Sequence, residues 1–249
     1  MATVLYLSDH FTGEQRRLAA AGDIAGAIEA SRMAVRLDPF DTDALQAQSV
    51  LWRQQGEYDK AALALRKAVG RDPNNYFPYL TLANLRLVTQ DYGAAVRGYR
   101  EVLELNPNAV LARSSLARTL VRQGKLSEAK RQYETLEEEK NITSQDLYDL
   151  GRIQVRTGEA QEGVNNIKRA RRMEAAEARR SPGSETARQR QLLVSMNLAA
   201  ADGLVVWGRY GQAARILAES PSEQAPGLLE LLRSDPEAYR EQVINSDIY

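Results

Sequence analysis

Two pairs of arginines carry the clearest chemical signal in this sequence of 249 residues. Arg118 and Arg122 are four residues apart, and Arg152 and Arg156 repeat that spacing 34 residues further along. Residues four apart on a helix lie on the same face, so each pair would present two guanidinium groups side by side. A guanidinium binds carboxylates and phosphates through paired hydrogen bonds. These residues therefore predict a site for an anionic ligand.

Residues of the types used in catalysis are few. The sequence has no cysteine, which excludes disulfides, thiolate zinc sites, iron–sulfur clusters and cysteine nucleophiles. Its one histidine, His10, has no evident acidic partner, and we interpret it as a solvated or packing side chain. No nucleotide-binding loop, serine elbow or paired-histidine motif is present. We predict a protein that is not an enzyme, with no catalytic residue, no metal ligand and no cofactor.

The charges balance over the whole chain but not within its regions. Lys and Arg number 33, as do Asp and Glu, and this balance argues against a general polyanion binder. Residues 168–190 contain eight basic and three acidic groups (+5), whereas residues 219–249 contain two basic and seven acidic groups (−5). We interpret them as a solvated basic helix edge and an acidic tail. Pairing between the two, within one molecule or head-to-tail in self-association, is a sharper hypothesis. Nucleic-acid binding through residues 168–190 is a less favoured alternative.

A period of 34 residues positions the arginine pairs. Asp38-Pro39, Asp72-Pro73 and Asn106-Pro107 follow one another at this step. Four further columns keep the same step: Ala27, Ala61, Ala95 and Ala129; Gly22, Gly56, Gln90, Gly124 and Gly158; Ile24, Tyr58, Tyr92 and Leu126; and Ala34, Ala68, Val102, Leu136 and Ala170. The period indicates an array of structural repeats.

Each repeat unit has the pattern of two helices. Apolar residues recur at helical spacing from Thr42 to Gln55, and Gly56 supplies a backbone that can end a helix. A second helix from Tyr58 carries Ala61, Leu65 and Ala68 along one stripe, and the small alanines allow close approach of the two helices. Because one helix pair cannot bury its own stripe, neighbouring pairs must stack.

These features resemble the tetratricopeptide repeat (TPR) family, through Gly56-Glu-Tyr58-Asp-Lys-Ala61, Asp72-Pro73, Asp91-Tyr92-Gly-Ala-Ala95 and Asn106-Pro107. The resemblance implies an all-α, right-handed superhelical solenoid of antiparallel helix pairs. Five repeats in phase are expected within residues 1–179, at about 8–41, 42–75, 76–109, 110–143 and 144–177. Two departures weaken the pattern, since Arg113 replaces a large apolar residue and Gly163 replaces the close-contact alanine.

The repeat phase breaks after the fifth unit. Residues 160–179 are polar and proline-free, which predicts a long helix, and Ser181-Pro182-Gly183-Ser184 predicts a turn with Ser184 as the next N-cap. A longer sixth helical pair is expected over 184–220, where Trp207-Gly208-Arg-Tyr210-Gly-Gln-Ala213 repeats the signature. Residues 221–249 are expected to form capping helices at 226–233 and from Asp235-Pro236, with four leucines (Leu228, Leu229, Leu231 and Leu232) covering the end of the stack.

The resemblance also implies where a ligand would bind, because the first helix of each TPR unit lines the concave groove. It places seven residues there: Phe77, Asn84, Arg118, Arg122, Tyr148, Arg152 and Arg156. The carboxylate-clamp arrangement that grips chaperone C-termini is not reproduced at Thr12, Arg16 and Gln46. The predicted ligand is a peptide or protein segment of acidic character.

We predict a non-catalytic scaffold for protein–protein interaction, of cytoplasmic or bacterial membrane-associated location. One alternative is the TPR tail of a bacterial O-antigen polymerase/ligase-type membrane protein, which residues 34–41 and the apolar N-terminal edge resemble. No membrane span is expected in this sequence, although the chain could be tethered within a longer protein. Another alternative, a hydrolase sited within 180–249, lacks a nucleophile–base pair.

Overall fold

The computed structural model describes residues 2–38, 41–180 and 186–248. Within these ranges the backbone forms 14 α-helices and no strand, which confirms the all-α fold. The helices are α1 (Ala2–Ala20), α2 (Ile24–Leu37), α3 (Thr42–Gln54), α4 (Tyr58–Arg71), α5 (Tyr76–Val88), α6 (Tyr92–Leu105), α7 (Val110–Arg122), α8 (Leu126–Glu138), α9 (Ser144–Arg156), α10 (Ala160–Arg180), α11 (Ala187–Val206), α12 (Tyr210–Glu219), α13 (Ala225–Ser234) and α14 (Pro236–Asn245). None of these helices is both long and apolar enough to cross a bilayer.

The chain divides into two compact units, Met1–Ala112 and Arg113–Tyr249. In the first unit, α1 packs on α2, α3 on α4, and α5 on α6. In the second unit, α9 packs on α10 and α11 on α12. Each pair consists of consecutive helices joined by a short turn, which is the arrangement expected for TPR-type repeats.

The periodic columns form the core of the helix pairs. The alanines at 27, 61, 95 and 129 are each at most 1% exposed. The second column is completely buried and contains Ala34, Ala68, Val102, Leu136 and Ala170. Small side chains at the first column let the two helices of a pair approach, and the residues of the second column are packed in the interior of the repeats.

The glycine column marks the turn between the two helices of a pair. Gly22, Gly56, Gly124 and Gly158 have φ between 71° and 92°, in the left-handed region. Gln90 stands in the same column with φ 60°. The left-handed residue ends one helix so that the next can return antiparallel, and glycine adopts it at no steric cost.

Helices α9 and α10 approach each other closely at Gly163, where the sequence departs from the repeat pattern. A Cβ added to Gly163 would lie 2.6 Å from the carbonyl oxygen of Gly151 and 2.9 Å from the backbone nitrogen of Val155. A Cβ added to Gly151 would lie 2.7 Å from the carbonyl oxygen of Gly163. The glycine that replaces the usual alanine at position 163 therefore reflects backbone-to-backbone packing, which has no room for a methyl group.

Several local predictions can be compared with the structure. The long helix predicted over 160–179 is confirmed as α10, with 21 residues. The predicted turn at 181–184 and Pro39 lie outside the described residues, and the N-cap of α11 is Thr186, whose hydroxyl accepts a hydrogen bond from the Gln189 amide at 3.2 Å. Ser184 as that N-cap was therefore wrong, because the helix begins three residues later.

The two predicted C-terminal helices are present as α13 and α14. Asp235 caps α14, since its carboxylate accepts a hydrogen bond from the Ala238 amide at 2.9 Å, and Pro236 occupies the first turn. The expectation that four leucines cover the end of the stack holds only for Leu232, which is 4% exposed; the other three are half-buried.

Candidate functional site

The second unit contains a cavity of about 190 Å³ formed mainly by α9 and α11, which we call the α9–α11 cavity. Helix α9 contributes Tyr148, Arg152 and Arg156, and α11 contributes Ser195 and Asp202. Gln224, just before α13, completes the rim. Three of the residues predicted to bind a ligand thus lie together around one cavity.

A firmly capped α9 positions these side chains. The Thr143 hydroxyl accepts from the Asp146 amide at 3.1 Å, and the Asp146 carboxylate in turn accepts from the Thr143 amide and hydroxyl, which completes a capping box. Tyr148, Arg152 and Arg156 then follow at intervals of four residues, so all three lie along one stripe of the helix.

Tyr148 forms the apolar wall of the cavity. Its ring is 6% exposed, its hydroxyl donates to the Ser195 carbonyl at 3.4 Å, and burial raises its pKa. The Arg152 guanidinium lies 5.3 Å from the centre of the Tyr148 ring, a cation–π contact that orients the charge along the wall.

Arg152 and Arg156 give the cavity a positive charge, which the carboxylate of Asp202 offsets only in part. Burial, followed by the like charge of Arg152, lowers the pKa of Arg156. Burial raises the pKa of Asp202, while its hydrogen bond from Tyr239 and the two arginines act in the opposite direction. Among the described residues, neither arginine makes an ion pair with a carboxylate within 4.0 Å. The cavity can therefore accept an anionic group.

Sequence reasoning missed Asp202 and the contact between Arg156 and the end of the chain. Arg156 donates from Nε to the Ser246 carbonyl at 2.9 Å and from Nη2 to the Ser246 hydroxyl at 2.7 Å. The acidic tail was expected to cap the repeats, or to pair with the basic residues 168–190, and its contact with a predicted ligand-binding arginine has no local signal in the sequence. Asp202 lies on α11, after the repeat phase breaks, so the 34-residue period could not indicate it.

The other two predicted arginines, Arg118 and Arg122, do not line the cavity. Arg118 donates to the Ser114 hydroxyl at 3.0 Å, and that hydroxyl donates to the buried Asp146 carboxylate at 2.5 Å. Arg122 is exposed at the end of α7. Arg118 is thus held against its own helix by a hydrogen-bond chain that leads to the cap of α9.

Asn84 and Phe77 lie on α5 in the first unit. The Asn84 side-chain oxygen accepts from the hydroxyl of the fully buried Tyr99 at 2.7 Å, so it already serves the packing of α5 on α6. Phe77 is 54% exposed near the start of α5 and leaves an apolar ring open to contact.

The first unit has a second cavity, of about 400 Å³, that the sequence did not indicate. Trp52 contacts two cations, with the Lys60 ammonium 4.6 Å and the Arg32 guanidinium 5.4 Å from its ring centre. Three different helices supply these residues, so their approach depends on the stacking of pairs.

His10 differs from its sequence interpretation in one respect. Its Nε2 atom lies 3.9 Å from the Glu14 carboxylate, one helical turn away, so it does have an acidic neighbour. The side chain is 60% exposed, in agreement with a solvated histidine.

Two family models of helical repeats match parts of the chain. A family model described as tetratricopeptide repeat matches residues 16–76, and one described as TT21 fifth ARM repeats domain matches residues 78–180. Superkiller protein 3 of Schizosaccharomyces pombe is 30% identical over 104 residues, which is 42% of this chain. The matched region spans only 8% of that relative's length.

Solved structures agree on the fold. A tetratricopeptide repeat protein from Parabacteroides merdae has a TM-score of 0.62 at 16% identity, covering 96% of this chain and 90% of its own. MamA has a TM-score of 0.61 at 21% identity, covering 70% and 94%. YrrB, described as a TPR protein with an unusual peptide-binding site, has a TM-score of 0.56 at 18% identity, covering 66% and 84%. At these identities, the likeness establishes a TPR-type fold.

Proposed function

We propose that this chain is a non-catalytic interaction module that binds an acidic peptide segment in the α9–α11 cavity. The observation that carries the proposal is the stripe of Tyr148, Arg152 and Arg156, which presents two guanidinium groups to a cavity with one carboxylate. TPR-type folds serve protein–protein interaction, and the peptide-binding site described for YrrB supports a peptide as the ligand.

The charges favour a ligand that carries carboxylates. Half-buried guanidinium groups without an ion pair gain most from an anionic partner, because the low local dielectric strengthens the interaction. Tyr148 supplies an aromatic wall against which an apolar side chain of the ligand can pack. Arg118 and Arg122 extend the positive charge along α7 in the same unit, and we keep them as secondary contacts.

In the first unit, two of the predicted binding residues, Phe77 and Asn84, offer contacts to a ligand. Phe77 offers an exposed ring for an apolar ligand side chain, whereas the Asn84 side-chain oxygen already accepts one hydrogen bond from Tyr99, so its amide nitrogen is the group that we expect to meet a ligand. We propose both as auxiliary contacts of a peptide that binds the first unit.

A series of fluorescent peptides with matched apolar content and zero, two or four carboxylates tests the function. We expect affinity to rise with the number of carboxylates and to fall at least tenfold in Arg152→Ala/Arg156→Ala, because each charge-assisted hydrogen bond contributes about 1.5–3 kcal/mol. The double variant Arg179→Ala/Arg180→Ala removes the same charge from the exposed end of α10 and serves as the control. Equal affinity in the two double variants would reject the site.

The alternative of a tail from an O-antigen polymerase/ligase-type protein gains no support from the family models and structural neighbours. It stays a prediction from the sequence, as do self-association and an acidic preference of the partner.

A further inference from the structure

The last helix of the chain packs across the helices that form the proposed binding cavity. Helix α14 packs on α11 and also contacts α9. The preceding helix, α13, packs on α12 instead. Tyr239 and Val243, one turn apart on α14, are 1% and 5% exposed, and Ile248 beyond the helix is 5% exposed. One face of α14 and the residues that follow it are therefore covered by the rest of the unit. We call residues 236–248 the C-terminal segment.

Two of the three charged residues that line the cavity, Arg156 and Asp202, are engaged by this segment. Arg156 donates to the carbonyl and hydroxyl oxygens of Ser246 at 2.9 Å and 2.7 Å, and to the carbonyl of Asp247 at 3.4 Å. The Tyr239 hydroxyl donates to the Asp202 carboxylate at 2.8 Å. Residues 236–248 do not themselves line the cavity, so the segment lies at its edge and engages polar groups of its wall that a bound peptide could otherwise use.

The form of these contacts shows what kind of ligand the site accepts. Arg156 contacts two main-chain carbonyls and one hydroxyl, which are acceptors that any extended peptide could supply at this place. The buried face of a short helix precedes them, through Tyr239 and Val243. The occupant is therefore a helical turn with apolar contacts, followed by an extended stretch of hydrogen-bond acceptors.

The segment also leaves the guanidinium charge available to a stronger ligand. The acceptors that it offers to Arg156 are neutral, and the Asp247 carboxylate acts on Arg156 only as a nearby charge, since no ion pair within 4.0 Å joins them among the described residues. A competing peptide with a carboxylate at the position of Ser246 would add a charge-assisted contact that the chain's own segment lacks.

We infer that the C-terminal segment acts as an intramolecular ligand of the α9–α11 site. A partner that consists of a short helix followed by an acidic stretch rich in hydrogen-bond acceptors binds by displacing this segment. The inference rests on the proposed function, because it concerns the same arginine. Partner affinity is reduced by the fraction of molecules in which the segment occupies the site, so weakening the segment strengthens the partner.

A labelled synthetic peptide of residues 235–249 serves as the probe, added to the chain of 249 residues. The variant Ile248→Asp places a charge at the buried end of the segment, and Ile248→Ala is a milder change should the first variant lose its fold. We expect either variant to bind the probe at least tenfold more tightly than the wild type. Adding Arg156→Ala to the same variant should abolish that gain, and a probe carrying Ser246→Asp should bind more tightly than the unmodified one.

The outcomes separate this inference from the proposed function. Equal probe affinity for wild type and the loosened variants, or no binding to any of them, overturns the inference. If carboxylate-rich peptides bind wild type and Ile248→Ala equally well, the proposed function stands and the inference fails. If the probe gains affinity on loosening while the carboxylate series shows no trend, the inference stands and the acidic ligand is wrong.

Discussion

Arg156 and Ser246 are 90 residues apart in sequence and are joined by two hydrogen bonds, one to the carbonyl and one to the hydroxyl of the serine. The first residue ends α9, and the second follows α14. This relationship joins the C-terminal segment to the helix that carries the candidate binding residues, so the Arg156 side chain contributes both to holding the segment and to the candidate site.

The first prediction concerns the hydrogen bonds from Arg156 to Ser246. Arg156→Lys keeps the positive charge but loses the guanidinium geometry that donates from two nitrogens, so it should destabilise the C-terminal segment by about 1–2 kcal/mol. Amide hydrogen exchange in α14 would measure the loss as faster exchange. Arg152→Lys is the matched control, because the contact of Arg152 is with Tyr148 on its own helix. Equal exchange rates in both variants would contradict this role of the hydrogen bonds.

The second prediction concerns the approach of α9 and α10. Gly163→Ala restores the residue that the repeat pattern favours, yet it should destabilise the protein by about 1–3 kcal/mol, because the new methyl group meets the backbone of Gly151 and Val155. Urea denaturation gives the change in the free energy of unfolding. Gly211→Ala, on α12 with open space at its Cβ position, should be neutral or stabilising by about 0.5–1 kcal/mol. Destabilisation of similar size at both sites would show that backbone clash is not the cause.

The third prediction concerns the turn of the third repeat. Gln90 has φ 60° where the other repeats have glycine, and a left-handed backbone is strained for a residue with a Cβ. Gln90→Gly should raise the free energy of unfolding by about 1 kcal/mol, measured by urea denaturation with an unchanged m-value. In the opposite direction, Gly124→Ala should lower it by about 1–2 kcal/mol. If Gln90→Gly destabilises the protein, the strain argument is wrong at this turn.

The fourth prediction concerns pH. Burial raises the pKa of Asp202 above its ordinary value of 3.8, despite the opposing effects of Tyr239, Arg156 and Arg152. A raised carboxyl pKa means that the folded state holds the proton more tightly, so this group's contribution to stability is complete below the unfolded pKa and is lost as pH rises through the folded one.

Asp202→Asn removes this titration while keeping an oxygen that can accept from Tyr239. The free energy of unfolding of the variant, minus that of the wild type, should therefore increase as pH rises from below 3.8 and then level off. Denaturation curves at a series of pH values would measure this difference. A difference that decreases with rising pH would show that the pKa of Asp202 is lowered instead. Asp235→Asn, at the exposed cap of α14, provides a control for general charge effects.

The repeat period made the helix pairs predictable. The burial of Ala61 and Ala68 follows from the spacing, because a position that recurs every 34 residues at a helical contact is buried in each unit. The glycine column made the turns predictable as well, because each turn needs a residue in the left-handed conformation and glycine adopts it without steric cost. Even the substituted position, Gln90, takes the same backbone form.

The candidate site was predicted only in part. Tyr148, Arg152 and Arg156 could be grouped from their spacing, because helical geometry converts intervals of four into one face. Arg118 has the same spacing but is held by Ser114, whose hydroxyl is bound to the cap of the next first helix. The orientation of the Arg118 side chain therefore depends on the hydrogen bond between Ser114 and Asp146, which are 32 residues apart. The periodicity of one helix does not encode this contact.

By itself, the sequence determined the repeat unit, the turn positions, the buried columns and the stripe of two arginines beside a tyrosine, because these follow from local geometry repeated at a constant step. The tertiary structure alone decided that Asp202 partly offsets those arginines and that Ser246 binds Arg156. These contacts join elements beyond the end of the repeat phase to α9, and they arise from the way α11 and α14 pack, which no spacing in the sequence expresses.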